Sequence, residues 1–257
     1  MEQSVSSENI QQGIEILRNT NETLLKNVLN ELNIGTIIKD EQISPAKEDK
    51  YQEEKEKYYE ICQRKYDEYW IEFDVLTRTF LPTAEYLYDK LDDIEAFDYS
   101  AVIVELCKAL ENELLTKLFR RYAKDIVSRK KGNQLDVDLR FDKSILQKQT
   151  GQFAGAIIKS VKGSFYFTLG QMRTTLNQLL DPELIQKSKL LKDFKDYLEK
   201  NIKMKELISN EYMEQIYDLS KNYRNPAAHS ELIEKERSKV FKDWFPEIIS
   251  YFEKCVI

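Results

Sequence analysis

The only histidine of the chain, His229, lies five positions after Arg224 in the run Lys221-Asn222-Tyr223-Arg224-Asn225-Pro226-Ala227-Ala228-His229-Ser230. An imidazole, a guanidinium and a carboxamide at this spacing suit proton transfer beside a phosphate. His229 supplies a base, Arg224 a planar fork for phosphate oxygens, and Asn225 an orienting amide. Pro226 has no N–H to give. The helix read over Tyr212, Met213, Ile216, Tyr217, Leu219 and Tyr223 is therefore expected to stop or kink near residues 223–225. Asn225-Pro226 reads as the N-cap and first residue of a new helix, which puts His229 in its first turn. There the positive end of the dipole disfavours imidazolium, and unpaired N–H groups favour a phosphate. On an unbroken helix the Arg224 and His229 side chains diverge by roughly 140°, so a kink at Pro226 is needed to bring them together. The structural alternatives are a packing or surface role for His229, an Arg224 paired with a carboxylate such as Glu231, and an Asn225 that only caps.

Other catalytic templates are missing. The sequence has no Walker-type phosphate loop, no dinucleotide glycine fingerprint, no cysteine pair at metal spacing and no second histidine for a zinc helix, so no metal and no cofactor is expected. A nucleophile–histidine pair has only His229 to use, and no serine sits in a nucleophile-elbow context.

The elements that must carry the motif read as helices throughout. Residues 6–32 have the spacing of an amphipathic helix that ends near Gly35. Residues 46–80 are dense in Glu, Lys and Tyr and read as one long helix with a solvated face. Pro82 reads as the first residue of a helix to Leu91, and the Phe97-Asp98 junction as a domain edge. From Asp98 or Ser100 a helix carries Val102, Ile103, Leu106, Leu110, Leu114, Leu118, Phe119, Tyr122 and Ile126, a stripe broad enough for a bundle core. Its basic end holds Arg120, Arg121, Lys124, Arg129, Lys130 and Lys131. This run suits a helix C-terminus and equally suits an RNA backbone. Leu135–Phe141 alternates apolar and polar, as a brief extended segment would. Further helices are expected over 144–161, from a capping box at Thr168/Gln171 to Leu180, from Asp181-Pro182 to about Asn201, from Ser209, from Pro226 to about Trp244, and from Pro246 to Glu253.

The stretch Arg224-Asn225-Pro226-Ala227-Ala228-His229 resembles the catalytic motif of HEPN domains: an arginine, a polar residue directly after it, and a histidine beyond four intervening positions. Glu105-Leu106-Cys107-Lys108-Ala109-Leu110-Glu111-Asn112-Glu113-Leu114-Leu115 is similar to an early helix of many bacterial HEPN proteins, and Phe167-Thr168-Leu169-Gly170-Gln171-Met172 to a helix opening in some of them. The resemblance covers about residues 98–257. It implies an all-α fold, a HEPN-like antiparallel helical bundle over 97–257 with an N-terminal helical extension over 1–96. It also implies a homodimer whose Arg224, Asn225 and His229 from both copies line one cleft, and metal-independent cleavage of single-stranded RNA in a toxin or antiphage defence setting. Glu105 and Glu111 are candidates to orient the arginine. Some HEPN domains only bind nucleotide, RNA or a partner protein; a separate alternative is a helical scaffold or antitoxin-like partner that uses residues 46–80 as an interaction arm. One subgroup is silenced by adenylylation of a tyrosine two residues past the histidine; here that position is Glu231, so this regulation is not implied.

Length and composition are compatible with these expectations. The 257 residues are 42% hydrophobic, with 7 glycines and 5 prolines, which fits helices joined by few tight turns. A net charge of -6 argues against unselective coating of nucleic acid, so RNA contact requires a local basic face. Three cysteines without metal spacing fit a reducing cytoplasm. No apolar run approaches the ~20 residues that span a bilayer, so no membrane is expected.

Overall fold

Side-chain caps set where several helices begin. The computed structural model describes residues 45–130, 151–161, 167–229 and 231–256, and every regular element among them is helical. Thr168 accepts from the Gln171 N–H while Gln171 reaches back to the Thr168 N–H, the reciprocal box read from the sequence. Asp181 caps Glu183 and Leu184, and Ser209 caps Tyr212. Each cap satisfies donors that a helix start leaves open, worth about 1 kcal/mol.

In chain order the helices are α1 (Pro45–Tyr66), α2 (Thr77–Asp93), α3 (Ser100–Leu114), α4 (Arg121–Arg129), α5 (Gly151–Val161), α6 (Leu169–Gln178), α7 (Pro182–Lys187), α8 (Lys189–Asn201), α9 (Met204–Leu207), α10 (Asn210–Asp218), α11 (Asn225–Ala228) and α12 (Lys235–Cys255). Two π turns, Leu115–Arg120 and Leu219–Arg224, fuse α3 to α4 and α10 to α11. The chain divides into two compact units, 1–53 and 54–257. In the second, α3 is central: α2 packs along it across the 96/97 boundary, and α11 and α12 lie against it as well. Its buried stripe runs from Val102, Ile103 and Leu106 through Leu110 and Leu114 to Leu118, as the sequence spacing predicts.

The end of the α3–α4 rod rests on an aromatic cluster. Phe119 meets Phe153, Phe167 and Phe194 with centroids at 6.0, 5.1 and 5.3 Å, and Tyr122 meets Phe194 at 4.7 Å. Such pairs add about 1 kcal/mol each beyond the apolar area they bury.

Several helix limits differ from the sequence expectation. The long helix expected to reach Phe80 stops at Tyr66, where Asp67 adopts φ 43°. The turn tucks Trp70 and Phe73 back against Tyr59 and Tyr66, with centroids 5.7 and 5.5 Å apart. The helix expected over 181–201 is broken at Ser188, whose buried hydroxyl caps Leu191 at 3.0 Å. Pro82 and Pro246, expected to open helices, lie inside α2 and α12. A proline in mid-helix leaves the carbonyl four residues back without its donor. For Pro246 that is the Lys242 carbonyl, and Lys65 Nζ donates to it at 3.3 Å.

The expected helix over 6–32, the Leu135–Phe141 segment, residues 144–150 and Lys131 lie outside the described residues. Among those described, no helix is long and apolar enough to cross a membrane.

Candidate functional site

Pro226 neither ends the motif helix nor kinks it open. The chain runs from Asn210 to Ala228 as one rod, with a π turn at Leu219–Arg224 just before the proline. Asn225 closes that turn by donating its N–H to the Ser220 carbonyl, five residues back. Widening by one residue relieves the clash of the proline ring with the preceding turn. The Asn222 carbonyl, which loses its usual donor to Pro226, accepts from Arg237 Nη2 instead. Arg237 also lies 5.8 Å from the Tyr223 ring centroid, and Tyr223 stacks on Phe241 at 4.6 Å. The wide turn is thus braced from α12.

Asn225 is therefore no N-cap, and His229 closes a helix instead of opening one. Its N–H donates to the Pro226 carbonyl at 3.2 Å. The carbonyl end of the rod, not the N–H end, faces the imidazole, so the phosphate nest expected there is not formed. His229 and Asn225 are both exposed.

Arg224 is half-buried and turns toward α3. Its Nε lies 3.5 Å from Glu111 Oε1, and the same oxygen accepts the Leu169 N–H at 3.2 Å. Glu111 thereby joins the guanidinium to the N-terminus of α6, where a carboxylate is electrostatically favoured. The neighbouring Cys107 thiol is pushed well above its ordinary range by burial and by the Glu111 charge, with Arg224 acting in the opposite direction. Glu105 pairs with Lys108 at 2.6 Å, and no ion pair joins it to Arg224 among the described residues. Beyond the motif, Ser100 Oγ reaches the Glu231 carbonyl at 3.4 Å, and Asp98 accepts the Ile233 N–H at 3.1 Å. The motif rod therefore runs antiparallel to α3: Arg224 stands by Glu111, and the segment after His229 stands by Ser100.

Arg224 stands in the π turn, only Asn225–Ala228 is α-helical, and His229 leaves the rod with φ -131° and ψ 33°, so no helical angle relates the two side chains. No hydrogen bond or ion pair joins them among the described residues. One copy of the chain presents an anchored, half-buried guanidinium and an exposed imidazole that no such contact joins.

The basic run lies further along the α3–α4 rod, Arg129 being roughly 27 Å from Glu111 at 1.5 Å per residue. Arg129 is already engaged, with Asp125 at 2.6 Å and with both oxygens of Asp193 at 3.2 and 2.9 Å. Arg121 and Lys124 are exposed, Arg120 and Lys130 half-exposed. The fold does not place this run beside Arg224.

Sequence reasoning missed Arg237, which braces the π turn, and a buried ionic group in the core. Lys117, in the first π turn, lies 3.0 Å from Glu113 Oε2, donates to the Glu253 carboxylate, and donates to the Glu72 carbonyl at 2.9 Å. All three side chains are buried. The i,i+4 spacing of Glu113 and Lys117 was visible in the sequence, but Glu253 comes from the far end of the chain.

No protein-family model, curated protein or solved structure matches this chain.

Proposed function

We propose that the protein is a HEPN-like, metal-independent endoribonuclease that cleaves single-stranded RNA through a site shared by two copies of the chain, acting in the cytoplasm as a toxin or antiphage effector. The observation that carries this reading is the anchored guanidinium near the end of the motif rod: Arg224 is tethered by Glu111, and five residues later His229 is solvent-exposed. His229 takes the proton from a ribose 2′-OH. The 2′ oxygen attacks the adjacent phosphorus, and Arg224 stabilises the added negative charge. The 5′ oxygen leaves with a proton from the His229 of the second copy, so the products carry a 2′,3′-cyclic phosphate and a 5′-OH. Because no hydrogen bond or ion pair joins Arg224 and His229 within one copy, a twofold arrangement sets the guanidinium of one against the imidazole of the other.

The same lack of contact favours a second reading, an RNA-binding or partner-binding module without turnover. Incubation of the purified protein with end-labelled single-stranded RNA in EDTA separates the two. Cleavage that disappears in both His229→Ala and Arg224→Ala supports the nuclease. RNA or protein binding by an intact dimer that never cuts supports the module.

A further inference from the structure

The π turn does more than accommodate Pro226: it changes which residues share a face. Between residues 217 and 225 an unbroken α-helix would rotate Asn225 about 80° away from Tyr217, a difference that one inserted residue, worth roughly 100°, largely removes. Tyr217, Lys221 and Asn225 consequently fall within about 20° of one line along the rod, and His229, the residue that caps the rod, follows at its end. Burial agrees with this phase, since all four are exposed while Leu219 is buried and Arg224, off the line, is half-buried.

The head of this line is an aromatic ring with two cations close to it. The Arg173 guanidinium, from α6, stands 4.3 Å from the Tyr217 ring centroid, and Lys221 Nζ stands 5.4 Å from it. Arg173 Nε is buried and makes no hydrogen bond, and no ion pair to a carboxylate is found for either cation among the described residues. The nearest acids along α10, Glu214 and Asp218, lie to one flank, and Asp218 is already engaged by the Asn222 amide. An exposed ring carrying a guanidinium plane, with a second cation beside it, is a combination that holds a single strand: a base stacks on the Tyr217–Arg173 platform and Lys221 meets a phosphate. It is also the local basic face that a protein of net charge -6 needs for such a ligand.

We infer that Tyr217, Lys221, Asn225 and His229, with Arg173 beside the ring, form a track for single-stranded RNA that leads its phosphates to the imidazole. This inference rests on the nuclease reading for the nature of the ligand, but not for turnover. The track is sequence-tolerant, because every base offers a face to stack and every nucleotide a phosphate. It spans roughly 18 Å at 1.5 Å per residue, which is room for a few nucleotides.

The test is fluorescence anisotropy of a labelled single-stranded oligouridine RNA with the full-length protein. All variants are made in the His229→Ala background so that no turnover interferes, and cleavage by the His229 protein is assayed separately. Lys221→Glu and Tyr217→Ala are each expected to weaken binding about tenfold, Lys221→Glu also lowering the salt dependence. Arg173→Gln should weaken it several-fold. Lys200→Glu, the same charge change on an exposed residue of α8, should stay within about twofold. Lys221 is exposed, so its variant keeps the test open if Arg173→Gln misfolds. The track is overturned if Lys221→Glu and Tyr217→Ala bind like their parent, if Lys200→Glu loses as much as Lys221→Glu, or if Arg121→Glu/Lys124→Glu abolishes binding while Lys221→Glu does not. RNA bound through the track but never cut by the His229 protein supports the track and refutes the nuclease; RNA cut with the track variants unimpaired does the reverse.

Discussion

Glu253→Gln should make the protein more stable in alkali while leaving it unchanged in acid. Glu253 shares a buried space with Glu113 and a single cation, Lys117. With both carboxylates ionised the group carries one uncompensated negative charge away from water. Burial pushes the Glu253 carboxyl up from its ordinary 4.5 to about 8; Lys117 opposes the rise, and the Glu113 charge adds to it. The proton belongs to the Glu113/Glu253 pair as a whole. The folded protein thus holds it more tightly than the unfolded chain does. The stabilisation is complete below about pH 4.5, falls as pH rises, and is gone once the folded group has titrated near pH 8. That window caps the effect at roughly 5 kcal/mol, and relaxation around the charge trims it to a few. Glutamine has the shape of the protonated acid, still accepts from Lys117, and offers N–H groups to Glu113 Oε2, which now lacks a hydrogen bond. Urea denaturation of both proteins from pH 5 to pH 9 reads the difference, in which titrating groups away from this cluster cancel. The variant should match the wild type near pH 5 and exceed it by about 2 to 4 kcal/mol at pH 9. A difference that does not change with pH, or a wild type more stable than the variant at pH 9, refutes the shared-proton reasoning.

Two further predictions follow from the geometry. Asp193 accepts from Arg129 twice and from the Tyr122 hydroxyl at 3.0 Å; burial raises its pKa, but these hydrogen bonds outweigh burial and hold it below the ordinary 3.8. Asp193→Asn should therefore cost about 1 to 3 kcal/mol at pH 7, a gap that closes as the pH falls below about 4, read by denaturation at both pH values. Arg237→Ala leaves the Asn222 carbonyl without a donor and should cost on the order of 1 kcal/mol, with faster hydrogen exchange confined to the amides of residues 219–229.

How much of this was legible in the sequence follows from the range of the interactions. Thr168, Asp181 and Ser209 announce helix starts because a cap bonds within three residues of itself, and the structure has all three. The apolar stripe of α3 was equally readable, since periodicity is local. The prolines misled for the opposite reason. Pro246 stays in mid-helix because Lys65, far back in the chain, supplies the missing donor to Lys242, and Pro226 because Arg237 does so for Asn222. No pattern around either proline encodes its distant rescuer. Ser188 shows the reverse failure: a serine inside a strongly helical run gave no sign that its hydroxyl would turn inward and restart the helix.

For the candidate site the same logic has a sharper consequence. Arg224, Asn225 and His229 stood out by residue type, and Glu111 was a reasonable guess for the group that meets the arginine. Their directions were not readable, because direction depends on helical phase, and one π turn shifts the phase by about a whole residue. Read with an α-helical period, Tyr217 and Asn225 lie about 80° apart and the proposed track has no continuous face. With the widened turn Tyr217, Lys221 and Asn225 align toward the end that His229 caps, and Arg224 is left to face α3. If the turn is the cause, removing its source should undo the alignment: Pro226→Ala restores the amide at 226, allows the Asn222 carbonyl an ordinary i→i+4 bond, and relieves the crowding that favoured the wider turn. RNA binding would then weaken while the fold stays intact, as it must if phase, not composition, is what gathers these residues.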